Sequence, residues 1–267
     1  MPAETGRLAE MAEDLGRDPR WAPWPIPNVI ARIDSTMAWL RERTDAPDGT
    51  SLIADEQTAG RGRLGRTWVS PPGLGVWSSV LVRADEVDPA TLGMLPLTVG
   101  LCVAENLSEV TGTGISVKWP NDIVIETDGR VRKIGGILTE RCADGAIIIG
   151  VGVNALPGDH PLPEGAIAVG ELVSAGSLTR EQIALAVLTG IAEAARSWRV
   201  GDVDLEAFRR RCITLGRVVE VASAAQSESW TGEAVDVASN GALLVRRGDG
   251  RAVLVTAGDV TLTPDVR

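Results

Sequence analysis

The sequence predicts an α/β protein in two parts: a larger α/β domain over residues 1–213 and a small all-β domain over residues 214–267. Up to about residue 213, β-rich segments alternate with apolar segments of helical periodicity. After that point only short β runs remain, separated by turn signals such as Asn240-Gly241. With 267 residues, 44% of them hydrophobic, the chain can build one large core and a smaller second one.

The individual elements follow from local patterns. The first thirty or so residues are acidic and then rich in Trp and Pro, and we expect them to form irregular chain packed on the domain. Strands are predicted over residues 29–33, 51–54, 76–82, 115–119, 123–125, 131–140 and 146–153. Helices are predicted just after Ser35-Thr36 and over residues 90–110, 179–199 and 204–211. Asp128-Gly129 predicts a hairpin turn. The closely spaced strands after residue 214 predict a small barrel.

Composition excludes several classes of function. Acidic residues outnumber basic ones by 36 to 26, so the surface as a whole repels nucleic acid and no DNA binding is expected. Three widely spaced cysteines form no metal or disulfide pattern, and the sequence shows neither a secretory signal nor a membrane-spanning run. These features predict a cytoplasmic protein. The single histidine, His160, lies in a breaker-rich segment that we interpret as a surface loop, which leaves no histidine for catalysis.

The run Gly-Arg-Gly-Arg-Leu-Gly-Arg-Thr-Trp at residues 60–68, called the Gly-Arg loop below, is the strongest local signal. Glycines let backbone N–H groups turn toward an anion, and arginines add cationic forks that suit carboxylate or phosphate. In a chain of net charge −10, such a loop predicts a site for a small anionic ligand. The alternative interpretation is a solvated basic loop.

Two nucleotide-binding patterns also match this loop. Gly60, Gly62 and Gly65 have the spacing of the dinucleotide motif, and Gly60 to Thr67 nearly matches a phosphate-binding loop. Both motifs need a helix to begin at the last glycine, because the N-terminus of that helix holds the phosphate. Pro71-Pro72 follow within a few residues, so the sequence predicts no such helix and both patterns are set aside.

Two further motifs carry charged residues. In the first, Lys118-Trp119-Pro120-Asn121-Asp122, Asp122 could take a metal ion or orient an amine, and Lys118 could neutralise phosphate; the alternative is an ordinary turn. In the second, Lys133 precedes Gly135-Gly136 inside an apolar strand, where the glycines indicate close approach of a ligand or backbone; the alternative is an edge lysine. Arginines, lysines and one carboxylate without histidine suit phosphoryl or nucleotidyl transfer.

In this order and spacing, the three motifs resemble those of the biotin protein ligases. Ser35-Thr36, residues 56–59 and Gly150-Val-Gly-Val-Asn154 agree with the same family, and the resemblance extends over residues 29–155. It implies a mixed sheet with flanking helices, as in the class II synthetase-like catalytic domain of biotin and lipoyl ligases, together with a small C-terminal SH3-like β-barrel.

The resemblance also implies a reaction in two steps. The biotin carboxylate attacks the α-phosphate of ATP in the presence of Mg²⁺, which yields biotinoyl-5′-AMP and pyrophosphate. A lysine amine on the biotin carboxyl carrier domain of an acyl-CoA carboxylase then displaces AMP. An acyl phosphate must be shielded from water, so we expect the Gly-Arg loop to act as a lid over the intermediate.

The resemblance assigns roles to individual residues. The residues implied as biotin-binding are Ser35, Thr36, Gln57, Gly60, Arg61, Gly62, Arg63, Lys133 and Gly135. Those implied for ATP and the adenylate are Arg66, Trp68, Lys118, Asn121 and Asn154. The implied catalytic residues are Arg63, Lys133 and Asp122, and the metal ligands stay unassigned.

Two departures from the family pattern bear on function. Met37 follows the Ser-Thr pair where family members often have Asn, which removes a polar contact. About 28 residues precede the catalytic region, too few for a helix-turn-helix module, so no repressor function is expected. The rival interpretations are a lipoate or octanoyl transferase and a non-catalytic biotin or nucleotide sensor. Two oligomeric states stay open, a monomer and a ligand-dependent homodimer.

Overall fold

The larger part of the chain is built on one seven-stranded mixed sheet. The computed structural model describes residues 2–43, 45–83, 89–222, 229–256 and 258–263. The strands of this sheet are β1 (Asn28–Ile33), β2 (Ser51–Gln57), β3 (Gly75–Val82), β4 (Ser116–Lys118), β5 (Asp122–Thr127), β6 (Arg130–Arg141) and β7 (Ile147–Asn154). Their order is β1-β2-β3-β7-β6-β5-β4, with β1 and β2 parallel and every other pair antiparallel. The predicted mixed sheet is confirmed.

Helices cover both faces of this sheet. They are α1 (Pro2–Leu15), α2 (Thr36–Arg41), α3 (Leu95–Thr111), α4 (Arg180–Arg199) and α5 (Leu205–Arg211). The long helices α3 and α4 pack on each other and on one face, where they bury alternate sheet residues such as Ile149 and Val151. The short helix α2 packs on the other face, against Leu81 and Ile148. Ser35 caps α2 by accepting a hydrogen bond from the backbone N–H of Ala38, as predicted.

The prediction of an irregular N-terminal segment packed on the domain is wrong for residues 2–15 and is confirmed for residues 16–27, which form turns and coil. Residues 2–15 form helix α1, which contacts β1 and α4. Leu8, Met11, Ala12 and Leu15 are buried, and their i, i+3, i+4, i+7 spacing is the signature of an amphipathic helix. The acidic residues between them lie on the solvent side. The prediction failed because it rested on this acidic composition and not on the spacing of the apolar residues.

The C-terminal part forms a separate five-stranded antiparallel sheet. Its strands are β8 (Val218–Ala222), β9 (Trp230–Val237), β10 (Leu243–Arg247), β11 (Ala252–Val255) and β12 (Asp259–Leu262), in the order β11-β10-β9-β8-β12. This is the predicted SH3-like module. Gly241 has φ of 86°, which fits the turn predicted at Asn240-Gly241. Residues 223–228, 257 and 264–267 of the predicted domain lie outside the described residues.

The turn at Asn240-Gly241 docks the C-terminal sheet on the larger part of the chain. The indole N–H of Trp119 donates to the carbonyl of Gly241 at 2.9 Å, and Trp119 is buried. A Cβ on Gly93 would lie 2.4 Å from the carbonyl oxygen of Asn240, so the two backbones meet where only glycine fits. The tryptophan of the Lys-Trp-Pro-Asn-Asp motif therefore anchors the second sheet.

Among the described residues, the segment Thr91–Thr111 is long and apolar enough to span a membrane by length and composition alone. It comprises α3 and the turn before it, and 56% of its most apolar window is buried inside the protein. Since α3 packs against α4 and three strands, its apolar residues are accounted for by the core.

Candidate active site

A cavity of about 360 Å³ lies on the α2 side of the large sheet, where β3, β6 and β7 meet the Gly-Arg loop and β12. Along β7, Val151 and Val153 belong to the main core, whereas the alternate residues Gly150 and Gly152 leave space for the cavity. Because glycine and valine alternate at residues 150–153, one face of β7 packs in the core and the other face leaves room for the cavity.

One end of the cavity has a base of hydrogen-bonded polar groups. The backbone N–H and the hydroxyl of Thr36 both donate to Gln57 Oε1, at 2.9 and 3.1 Å. Thr36 Oγ1 also lies 2.7 Å from Ser79 Oγ, and Gln57 Nε2 donates to Ser70 Oγ at 3.0 Å. Ser35 and Thr36 are buried, so this network presents fixed donors and acceptors to a ligand.

The Gly-Arg loop is a tight excursion between β2 and β3. Its two arms are joined by hydrogen bonds from Trp68 N to Gly60 O at 2.9 Å and from Gly62 N to Arg66 O at 2.7 Å. At the tip, Leu64 and Gly65 both have positive φ, 55° and 76°. No helix begins at Gly65, and the chain continues into β3, in agreement with the exclusion of both nucleotide motifs.

Arg63 is the half-buried cation of this loop. Its Nη1 donates to Asn121 Oδ1 at 3.1 Å and its Nη2 donates to the carbonyl of Gly258 at 3.4 Å. Burial lowers the pKa of the guanidinium, while the charges of Asp259 and Asp122 oppose that shift. Within the described parts of the chain Arg63 makes no ion pair, so a half-buried guanidinium faces the cavity without an anionic partner.

Two other cations of the cavity wall are held by the C-terminal sheet. Arg66 forms an ion pair with Asp259, and Lys118 Nζ donates to the carbonyl of Val260 at 2.9 Å. Asp259 and Val260 line the cavity themselves. The first residues of β12 therefore close the side of the site that is opposite the polar base.

Asp122 lies between two lysines on the β5–β6 wall. Lys133 Nζ is 2.5 Å from Asp122 Oδ1, and Lys118 Nζ is 3.7 Å from Asp122 Oδ2. The isolated backbone pairing of Lys133 with Ala166, through bonds to Gly165 and Ile167, fixes the strand at this point. A carboxylate between two ammonium groups orients both of them and reduces their net charge.

The Trp68 side chain lies across the glycines of the cavity. A Cβ on Gly152 would lie 2.6 Å from Trp68 Nε1, and Lys133 Nζ lies 5.3 Å from the centre of the Trp68 ring. Trp68 Nε1 is buried and has no hydrogen-bond partner among the residues that the structure describes. A large aromatic surface with an unsatisfied donor is thus placed in the wall of the site.

Nearly every site residue predicted from the sequence lines this one cavity. Those brought together are Ser35, Thr36, Gln57, Arg61, Gly62, Arg63, Arg66, Trp68, Lys118, Asn121, Asp122, Lys133 and Asn154. Two predicted residues, Gly60 and Gly135, are not part of the lining. A Cβ on Gly60 would meet Trp68 O at 2.4 Å and one on Gly135 would meet Gly152 O at 2.6 Å, so both glycines permit close backbone packing instead.

A bulge explains why Gly136 lines the cavity and Gly135 does not. Strict alternation along β6 would place Gly135 on the same face as Lys133. The pairing of β5 with β6 shifts register between Ile123 and Val124, which leaves Ile134 as the extra residue. Lys133 and Gly136 consequently reach the same cavity.

Several lining residues were not predicted as part of a site. His160, predicted to lie in a surface loop, is indeed exposed, but it lies with residues 161–164 on the cavity rim. Met37 lies at the polar end and packs on Gly150, whose Cβ would lie 2.6 Å from Met37 Sδ. Asp259 comes from the other sheet. Only the departure of Met37 from the family pattern was a signal in the sequence.

The described residues contain no cluster of three or more His, Cys, Asp or Glu side chains that could hold a metal ion. Mg²⁺ commonly binds through one or two carboxylates together with substrate phosphates. Asp122 on the cavity wall could supply one such carboxylate. The described residues do not form a cage that would hold the ion by protein groups alone.

Comparison with known proteins agrees with this geometry. The model of the biotin/lipoate A/B protein ligase family matches residues 29–154, and that of the biotin protein ligase C-terminal domain matches residues 214–262. The biotin–[acetyl-CoA-carboxylase] ligase of Mycobacterium tuberculosis is 34% identical over 244 residues, which cover 89% of each chain. The bifunctional ligase/repressor BirA of Bacillus subtilis is 41% identical over 123 residues, only 36% of its length.

Solved structures give the same result. The biotin protein ligase of Aquifex aeolicus in complex with biotin and ATP superposes with a TM-score of 0.76 at 30% identity, covering 89% of this chain and 99% of that one. The Leishmania major ligase in complex with biotinyl-5-AMP has a TM-score of 0.61 at 26% identity, covering 88% and 99%. Given the cavity, its charged residues and these relatives, the chain belongs to the biotin protein ligase family.

Proposed function

We propose that this protein is an ATP-dependent biotin protein ligase that joins biotin to a lysine of the biotin carboxyl carrier domain of an acyl-CoA carboxylase. The observation that carries this proposal is the cavity itself. One end of the cavity has a hydrogen-bonded polar base. The other end has lysines and the half-buried Arg63, which forms no ion pair with any of the described residues. This arrangement suits a neutral polar head group joined to a carboxylate that must meet a phosphate.

In the first step, a biotin carboxylate oxygen attacks the α-phosphorus of ATP, and the bond to pyrophosphate breaks. Ser35, Thr36 and Gln57 would hold the biotin head group through the polar network at the base. Arg63 and Lys133 would stabilise the negative charge that develops on the α-phosphate, because both are cations directed at the cavity. The protein contributes mainly position and charge.

On the nucleotide side, Arg66, Lys118, Asn121 and Asn154 would contact ATP, and Trp68 would cover the adenine. Mg²⁺ would neutralise phosphate charge, held by the phosphates with Asp122 as a protein ligand. In the second step, the lysine amine of the carrier attacks the acyl carbon, loses a proton, and AMP leaves. Asp122 and Asn121 are the groups that we assign to orienting this amine.

We also propose the division of the chain into a catalytic domain over residues 1–213 and a C-terminal domain over residues 214–267. The sequence properties described above favour a cytoplasmic protein with no DNA-binding or membrane-binding role.

The test is biotin-dependent exchange of labelled pyrophosphate into ATP. We expect exchange with biotin and Mg²⁺, no exchange with lipoate, and transfer of labelled biotin to a carrier domain but not to a carrier whose acceptor lysine is replaced by arginine. Exchange with lipoate instead would favour a lipoate-type enzyme. Absence of exchange with either acid would favour a non-catalytic sensor.

A further inference from the structure

Three consecutive residues, Gly258 just before β12 and the first two residues of β12, offer oxygen atoms to three cations of the cavity. Two of these oxygens are backbone carbonyls and the third belongs to a carboxylate. The pairs are Gly258 with Arg63 at 3.4 Å, Asp259 with Arg66, and Val260 with Lys118 at 2.9 Å. A short stretch of the C-terminal domain thus occupies hydrogen-bond donors that face the cavity.

The Arg66–Asp259 contact differs from the other two because both of its partners are charged. The Arg66 side chain is 66% exposed and that of Asp259 is 30% exposed. Ion pairs between exposed side chains contribute little to the stability of a fold. The pair can therefore separate without unfolding either domain. Its main consequence is for the affinity of any other anion that binds Arg66.

An anionic ligand that binds Arg66 has to replace Asp259. Once a phosphate group has taken the guanidinium, the Asp259 carboxylate is left beside that phosphate in the same cavity. Like charges at about 4 Å repel each other even in a largely aqueous environment. The pair thus lowers the affinity of every ligand that brings negative charge to this end of the site. The reduction in affinity grows with the charge of the ligand.

We propose that Asp259 is an internal competitor of the ATP phosphates for Arg66, so that the C-terminal domain weakens ATP binding. This inference rests on the proposed function, since it takes ATP as the anionic ligand. It assigns the domain a part in setting the ATP affinity of the site.

The first experiment compares the wild-type chain with Asp259→Asn in biotin-dependent pyrophosphate exchange. We expect the KM for ATP to fall roughly three- to tenfold, as removal of one nearby like charge predicts, while the KM for biotin stays the same. Inhibition by ADP should tighten more than inhibition by adenosine, because only ADP carries phosphate. Asp249→Asn is the matched control and should change neither constant, since Asp249 pairs with Arg251 at the opposite edge of the same sheet and does not line the cavity.

The second experiment repeats Asp259→Asn in an Arg66→Gln background. If Asp259 acts by competing for Arg66, the substitution should give no gain in ATP affinity there. A gain that persists, an unchanged KM for ATP, or a raised KM in the single variant would overturn the inference. Thermal melting identifies a variant whose KM rises because its fold has changed. A lower melting temperature of Asp259→Asn would also contradict the inference, since it takes the Arg66–Asp259 pair to have no structural role. A wild-type chain without exchange would instead refute the proposed function.

Discussion

The Lys133 ammonium lies 2.5 Å from Asp122 Oδ1, on the wall that β5 and β6 form at the cavity. Lys133 is thereby held toward the position proposed for the α-phosphate. We expect Lys133→Met to reduce the rate of biotin-dependent pyrophosphate exchange by about 10²–10³-fold, the range for loss of one preorganised charge-stabilising group. Lys118→Met should instead mainly raise the KM for ATP. Equal effects of both variants on rate alone would contradict these separate roles.

Arg63→Gly should loosen the hold on biotinoyl-5′-AMP. The half-buried guanidinium has no anionic partner within the described residues, so we assign it to the acyl phosphate. Loss of hydrogen bonds to a charged group costs about 1.5–3 kcal/mol, which corresponds to a dissociation rate roughly 10–100 times faster. The measurement is release of labelled intermediate after rapid dilution, with Arg63→Lys as the control that keeps the charge. Wild-type retention by Arg63→Gly would show that Arg63 does not hold the intermediate.

Gly152→Ala should impair nucleotide binding through Trp68. The new Cβ would lie 2.6 Å from Trp68 Nε1, so the indole would have to move from its present position. Stacking of a base on an aromatic side chain contributes about 1–3 kcal/mol, and we expect the KM for ATP to rise accordingly. Gly100→Ala is the control, because a Cβ there makes ordinary contacts at 3.5 and 3.6 Å inside α3. Equal kinetics of the two variants would refute the role given to Trp68.

Asp55→Ala should destabilise the whole larger domain. Arg180 at the start of α4 pairs with Asp55 at the end of β2, and both side chains are at least 95% buried. Arg180 Nε also donates to the carbonyl of Gly75 at 2.8 Å. Removing one partner of a buried pair costs about 3–5 kcal/mol because the other charge stays uncompensated. Urea unfolding measures this, with Asp14→Ala in the exposed pair with Arg17 as a control that should change little.

Glu140→Gln should reduce stability at neutral pH but not in acid. Two hydrogen bonds of 2.6 Å from Arg41, the last residue of α2, lower the pKa of Glu140 below its usual value of 4.5. The pair therefore stabilises the fold above the unfolded-state pKa, and that contribution is lost as the pH falls through the folded-state pKa. With both partners more than a third exposed, we expect less than about 1 kcal/mol. Equal differences between variant and wild type in unfolding at pH 7 and in acid would contradict the linkage.

Local sequence signals predicted most of the elements. Both residues of the Asp128-Gly129 turn have positive φ, 53° and 68°, as their types predict for a two-residue hairpin turn. Two prolines after the Gly-Arg loop were enough to exclude a phosphate-binding helix. The prediction for residues 2–15 was wrong because it used the acidic composition and not the helical spacing of the apolar residues that α1 buries.

The composition of the site was less accessible to sequence reasoning. The breakers around His160 predict a surface loop but not its position at the cavity, which the chain reaches because it returns along the rim after β7. The motif predicts Gly135 rather than Gly136 as a site residue, because nothing in it indicates the bulge, which depends on how β5 and β6 pair. Contacts of this kind join residues far apart in the chain, so a local pattern cannot encode them.

The sequence by itself determined the family, the order of the elements and the charged groups of the site, because these depend on residue types at fixed local spacing. Only the tertiary structure decided which face each strand presents to the cavity and which distant groups complete it. Asp259 shows the difference most clearly: it lies 193 residues after Arg66 and meets it where the C-terminal sheet packs on the larger part of the chain, through contacts such as that of Trp119 with Gly241. Where two sheets pack, long-range geometry sets the partner of a charge, and that partner in turn decides how readily the charge can bind a ligand.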